Sequence, residues 1–409
     1  MKRYSQAIGL LIGSLLLLTP GFTQAADRNF GADVEFLSQH VKTVVLGKDQ
    51  HGPRIAVVPA YQGRVMTSTA NGDQGTSYGW INYDHIASGT SVPHINVFGG
   101  EERFWMGPEG GQFSIFFAPG AEFNLEQWQT PPVIDTEPYQ VLLLEDQRVL
   151  FRHEAELTNY SRTTFKIRIL REVTLLTPKE LAERLHVELP DVPVVAYETR
   201  NRVMNIGTQA WSKEQGLLSI WMLGMYKHGP STTVVIPFKK GPETELGPIV
   251  NDEYFGKVPA DRLKVSDGVL YFSGDGRYRS KIGLSPRRAT RLAGSYDAAR
   301  GVLTCLTYNQ PGPEAVDYVN SIWQIQEHPF AGDVINSYND GPPSPGAKPL
   351  GPFYEVETSS PALALKPGES AEHVQVTCHV EGPAAQLDPL SRRLFGVSLE
   401  QIAGALRPK

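Results

Sequence analysis

Short apolar runs bounded by turn residues recur along this chain, and few stretches carry helical spacing. Val57–Tyr61, Gln112–Phe117, Gln140–Leu144, Thr164–Leu176 and Thr232–Pro237 all read as β segments. The 39 Gly and 31 Pro are spread along the chain. That suits many turns between many strands rather than one linker between two domains. Two stretches read as short helices. Pro178–Leu185 has Thr177 as cap and Pro at its first position, and 398–406 has Ser398 as cap. A propeller would need a repeat of roughly 40–50 residues, and the sequence has none. A 409-residue chain can form one large β domain. The expected fold is all-β with short peripheral helices.

The N-terminus reads as an export signal. Lys2 and Arg3 precede an apolar run from Ile8 to Leu18, and Thr23-Gln-Ala-Ala26 offers small residues for cleavage. The run is too short for a membrane span. The expected organisation is a signal peptide over 1–26, a β domain over 27–384 and a helical C-terminal tail over 385–409. The mature protein is expected in the periplasm, with no membrane contact after cleavage. Without Lys2 and Arg3 the chain has 36 basic and 44 acidic residues, a net charge of −8. That balance, with no basic block, argues against a nucleic-acid partner. Cys305 and Cys378 each lie in a strand-like run; a disulfide and two buried thiols are both open readings. No His/Cys spacing of the zinc type is present, and no metal or cofactor is expected. Nothing in the sequence sets the oligomeric state.

Three regions carry candidate chemistry. The first is Phe353–Pro361, followed by a Lys-Pro-Gly-Glu turn and the run His373–His379. Glu355 and Glu357 stand two apart on a strand and so share a face. Two close carboxylates raise at least one pKa, which suits acid–base work near neutral pH. The plainer reading is a solvated strand face. The second region is His94–Gly111. Paired glycines flank Arg103, Phe104 and Trp105, suggesting bends that bring a ligand near the backbone. Arg forks to hydroxyls or a carboxylate, and Trp stacks on a sugar ring. Here Glu109 and His94 are further candidates. The plainer reading puts Trp105 in the core and pairs Arg103 with Glu102 or Glu109. The third region, Trp323–Gly341, leads into the carboxylate strand. It offers His328, Tyr338, Asn339 and Asp340, although Asn-Asp-Gly is also an ordinary turn. The Pro/Gly-rich run over 339–352 reads equally as a wall of the site or as a disordered excursion.

The order Glu-Thr, Pro, Leu, Pro-Gly-Glu, His in the first region resembles the last strands of galactose mutarotase-like proteins, the aldose 1-epimerase superfamily. The Gly/Arg segment of the second region resembles that family too. The resemblance implies a large antiparallel β-sandwich with a sugar cleft on the open face of one sheet, a carbohydrate ligand, Glu357 as general base and Arg103 as sugar contact. The family's mid-chain His, its general acid, has no counterpart. The comparable strand, 218–224, carries Ser219 and Trp221 instead. His94, His228 and His328 are the available replacements, and His328 is chosen for its nearness to Glu357. With Trp105, Glu109, His94, Tyr338, Asp340 and Glu355 as substrate contacts, the expected activity is anomer interconversion. The alternative is a sugar-binding or scaffold protein that kept the fold and lost the acid. A glycosidase using Glu109 with Glu357 is a weaker reading. No Gly-x-Ser-x-Gly elbow supports a hydrolase triad.

Overall fold

A computed structural model describes residues 28–312 and 317–407. The expected signal peptide lies outside the described residues. The strands are β1 (Val44–Leu46), β2 (Arg54–Val58), β3 (Arg64–Thr69), β4 (Arg103–Gly107), β5 (Gln140–Leu144), β6 (Arg148–Thr158), β7 (Thr164–Leu175), β8 (Val194–Asn205), β9 (Ser219–Lys227), β10 (Thr232–Pro237), β11 (Leu263–Ser266), β12 (Val269–Ser273), β13 (Ser280–Leu284), β14 (Leu292–Asp297), β15 (Val302–Tyr308), β16 (Ile335–Asn339), β17 (Phe353–Ser359) and β18 (Ser370–Glu381). Among the described residues six short helices punctuate them: α1 (Phe30–His40), α2 (Tyr83–Ser88), α3 (Pro178–Leu185), α4 (Glu243–Leu246), α5 (Ala384–Phe395) and α6 (Leu399–Gly404). None of the described helices is long and apolar enough to cross a membrane.

The fold is the expected all-β sandwich. A ten-stranded antiparallel sheet runs β11-β12-β10-β14-β15-β18-β8-β7-β6-β5. A five-stranded sheet runs β13-β16-β17-β9-β4, and β1-β2-β3 form a small third sheet. Alternation assigns each face. On the five-stranded sheet, Phe104, Met106, Ile220, Met222, Ile282, Ile335 and Val356 point inward and are almost fully buried. They meet Phe151, Phe165, Ile167, Val234, Phe272 and Leu306 of the large sheet in two adjoining cores. The odd-numbered residues of β4, β9, β13 and β17 are thereby turned to the opposite, open face.

Local chemistry explains the helices. At α3, Thr177 and Glu180 form a reciprocal capping box with Pro178 in the first turn, and Ser398 and Gln401 do the same for α6. The C-terminal helices are docked rather than loose. Leu387, Leu390, Phe395, Leu399 and Ile402 pack with Leu303, Val376 and Cys378 of the large sheet. Cys305 and Cys378 sit opposite one another on β15 and β18 as buried free thiols. Two strand expectations are corrected. Val57–Tyr61 is strand only as far as Val58, the end of β2; Pro59, which fixes φ and has no N–H to give a ladder, opens a 3-10 turn over Pro59–Tyr61. Over Gln112–Phe117 the chain is irregular, with an isolated bridge from Phe117 to Trp128. Its aromatic rings pack against Trp105, Trp128 and Trp323, so its apolar content serves a cluster rather than a ladder.

A polar network crosses the sandwich interior. Thr358 of β17 donates to Gln375 Oε1 at 2.6 Å and therefore accepts from His373 Nε2 at 2.8 Å. Gln375 Nε2 donates to Glu102 at 2.8 Å, and Glu102 takes Arg171 at 3.0 Å. Both members of that ion pair are fully buried. Burial pushes the His373 pKa down to about 3. An unfolded His titrates at about 6.5. Stability from a neutral buried His is thus intact above the unfolded pKa and lost as pH falls below it. Between pH 7.5 and pH 5 wild type should lose about 2 kcal/mol more than His373→Gln, read from urea midpoints. Equal losses in the two proteins would refute this.

Candidate functional site

The open face of the five-stranded sheet carries the site. Register sets its rows. Lys281, Tyr338, Glu355 and Met225 stand side by side across β13, β16, β17 and β9. The next row reads Asn336, Glu357, Leu223 and Arg103 across β16, β17, β9 and β4. Bonds then run diagonally between rows. Arg103 donates to Glu355 Oε1 at 2.8 Å, and Lys281 donates to Glu357 Oε2 at 2.9 Å. Glu355 is the partner of Arg103, in place of the Glu102 or Glu109 of the plainer sequence reading; Glu102 faces the interior.

Above this face lies a cleft of about 400 Å³. Arg103, Trp105, Trp128, Trp221, Trp323, Tyr338 and Glu355 line it, with His94, Glu109 and Asp340. A second compartment of about 570 Å³ adjoins it and shares Glu109, Trp221, Phe255, Arg279, Lys281 and Trp323. The aromatic walls are mutually braced. Trp105 meets Trp221 edge-on at 5.6 Å, Trp128 stacks with Trp323 at 6.0 Å, and the Arg103 guanidinium sits 4.2 Å over Trp105. Glycines permit the close approach. Gly99 has φ of +86°, and a Cβ there would lie 2.2 Å from the Trp80 carbonyl oxygen. The 339–352 segment forms a wall, with Gly341, Pro343, Lys348 and Leu350 facing the cleft. It is tied down by the Gly351 amide, which donates to Asp340 at 2.8 Å.

Several buried polar atoms of this region have no partner among the described residues: Arg103 Nε, Trp105 Nε1, Trp128 Nε1, Ser219 Oγ and Glu357 Oε1. A buried donor or acceptor left unmade costs about 1–3 kcal/mol. Four of them belong to residues that line the cleft or the compartment beside it, and a site awaiting hydroxyl groups or water would hold such atoms ready.

The titratable groups divide by environment. Burial drives the Glu355 pKa up to about 7; Arg103 opposes this, and the neighbouring Glu357 adds to it. Its Oε2 makes no bond to described residues. Burial also raises the carboxyls of Glu109 and Asp340. Asp340 accepts from Tyr338 Oη at 2.7 Å. Glu357, expected as the cleft-facing base, is 1% exposed. Its Oε2 is held by Trp221 Nε1 and Lys281 Nζ, both at 2.9 Å. It is absent from the cleft wall, so Glu355 is the carboxylate of this strand that faces the cavity.

His94 Nδ1 lies 2.6 Å from the Trp128 carbonyl, which can only accept, so Nδ1 carries the proton and Nε2 is free. His328 is corrected. Its side chain is 76% exposed, close to Glu327 at 3.9 Å, and lies outside the cleft. Nearness in sequence to Glu357 did not translate into space, because the 318–334 segment crosses beside the site and turns His328 outward. His228 is likewise not on the cleft wall. The β9 residues that face the cleft are Trp221, Leu223 and Met225. Sequence reasoning missed Lys281, Arg279, Trp221, Trp323 and Phe255 as cleft residues. A Lys two residues after an Arg at a strand start was the one available signal for the first two. Among the described residues no group of three or more His, Cys, Asp or Glu could hold a metal ion.

Solved structures described as galactose mutarotase-like are among those this chain is similar to in fold. The chain itself belongs to a family of unknown function (DUF6786), whose model matches residues 28–406. The Slr1438 protein from Synechocystis sp. PCC 6803 is similar with a TM-score of 0.50 and 13% identity, over 84% of this chain and 96% of that one. A galactose mutarotase-like protein from Lactobacillus casei gives 0.44 and 10%, over 82% and 100%. A galactose mutarotase related enzyme from Lactobacillus acidophilus gives 0.43 and 9%, over 83% and 98%. At these identities the likeness is one of fold. No curated protein matches the chain in sequence.

Proposed function

We propose that this is an exported carbohydrate-recognising protein whose cleft interconverts sugar anomers, with Glu355 as general base in place of Glu357. The observation that carries the reading is a carboxyl with a pKa of about 7 on the floor of a four-tryptophan cleft. Ring opening needs a proton removed from the anomeric hydroxyl and one given to the ring oxygen, as the bond between that oxygen and the anomeric carbon breaks. Glu355 takes the first proton. Glu109, whose neutral acid form is favoured by burial, gives the second. Re-closure on the other face of the carbonyl reverses both transfers and returns the protons. Arg103 and Trp105 orient the sugar; Lys281 and Trp221 hold Glu357, whose charge keeps the Glu355 pKa high.

A second reading is a sugar-binding protein without catalysis. The apolar Trp221, Leu223 and Met225 on the cleft-facing side of β9 favour it, since the family's His has no replacement there. Anomer exchange followed by NMR across a panel of free aldoses separates the two. Accelerated exchange in wild type supports the enzyme. Broadening of a sugar's resonances without acceleration, removed by Arg103→Ala, supports the binding protein. No effect of either kind defeats both.

A further inference from the structure

We propose that the sugar recognised in this cleft carries a carboxylate and that Arg279 receives it, an inference that rests on the carbohydrate reading above. Four cations line the cleft: Arg103, Lys281, Arg279 and Lys348. Two are committed, Arg103 to Glu355 and Lys281 to Glu357. Arg279 and Lys348 make no ion pair or hydrogen bond with any described residue.

Arg279 is nevertheless held in place. It immediately precedes β13, and alternation along that strand puts it on the same face as Lys281. Its guanidinium carbon lies 3.8 Å over the Phe255 ring, and Phe255 meets Tyr338 edge-on at 6.0 Å. A guanidinium held with its carbon over an aromatic ring can keep an N–H edge free. That edge matches the two oxygens of a planar carboxylate. Arg279 also lines both compartments, so the charged group it takes belongs near their junction.

The protein's own acids do not compete for it. Glu355 is taken by Arg103, and Asp340 by Tyr338 and the Gly351 amide. Burial favours the neutral form of Glu109, which lessens its pull on the guanidinium. A single flat fork matches a planar monoanion better than a tetrahedral dianion, which calls for more donors. The exposed Lys348 at the rim adds longer-range attraction for an anion. A uronate, free or within an oligosaccharide, is the chemistry that meets these conditions.

The test is titration calorimetry on the mature chain with glucuronate and galacturonate, the matching glucose and galactose, and their 6-phosphates. A uronate should bind about 10- to 100-fold tighter than its neutral aldose, the range for hydrogen bonds to a charged group. In Arg279→Gln that ratio should fall to near one, and Arg279→Lys should recover part of it. Unchanged thermal midpoints would show that both variants fold. Neutral sugars bound as well as uronates would overturn the inference and leave the carbohydrate reading standing. So would a uronate preference that survives in folded Arg279→Gln. A stronger, Arg279-dependent preference for the 6-phosphates would overturn the carboxylate in favour of phosphate. If none of the six binds, the carbohydrate reading fails and this inference with it.

Discussion

Glu355→Gln should slow anomer exchange about 10²- to 10⁴-fold, the usual contribution of a positioned base. The variant keeps the side chain's shape, and its amide oxygen can still accept from Arg103, so sugar binding should weaken far less than turnover. The pH profile makes the test specific. Glu355 titrates at about 7, and a base works only as the carboxylate. The wild-type rate should rise as Glu355 loses its proton near pH 7 and fall again once Glu109, the acid, loses its own. Glu355→Gln should lose the rising limb. Its neighbours supply sign checks. Arg103 holds the Glu355 pKa down, so Arg103→Gln should move the midpoint to higher pH. The charge of Glu357 pushes it up, so Glu357→Gln should move the midpoint to lower pH. If Glu357→Gln abolishes exchange while Glu355→Gln spares it, the base is Glu357 after all.

Arg171→Met should destabilise the fold by about 3–5 kcal/mol, because it strands Glu102 in the interior with its charge uncompensated. Both groups are fully buried, and burial already works against the charged form of Glu102. Arg171 also donates to Asn201 at 2.6 Å and to the Gly63 carbonyl at 3.0 Å, so the loss falls on β8 and on the residues just before β3 and β4 together. The double variant Arg171→Met with Glu102→Gln should recover much of the loss, since the unpaired charge is gone. Urea unfolding of the two single variants and the double measures this. Additive losses would mean that the pair contributes nothing as a pair. The effect reaches the site through one peptide unit: Glu102 points inward and anchors the start of β4, while Arg103 points outward into the cleft. A loosened β4 should therefore weaken sugar binding as well.

Much was legible from local rules. Thr177, Pro178 and Glu180 specify the start of α3 through hydrogen bonds that lie within four residues. Period-two alternation put Glu355 and Glu357 on one face, and the structure keeps them there. These features depend on neighbours in sequence, so the sequence contains them.

Other features depend on which strands become neighbours, and local rules carry no information on that. Arg103 and Glu355 are 252 residues apart, and Lys281 reaches Glu357 across 76. The aromatic run over Gln112–Phe117 looked like a strand because burial in a cluster and burial in a sheet demand the same side chains. His328 looked near Glu357 because sequence distance was the only measure at hand. The chain by itself determined an all-β fold and a strand with paired carboxylates. Tertiary structure alone decided which of the two faces the cleft. Glu357 falls within reach of Lys281 and the Trp221 indole and is sealed beneath them, whereas Glu355, one row along, takes Arg103 and stays open to the cavity.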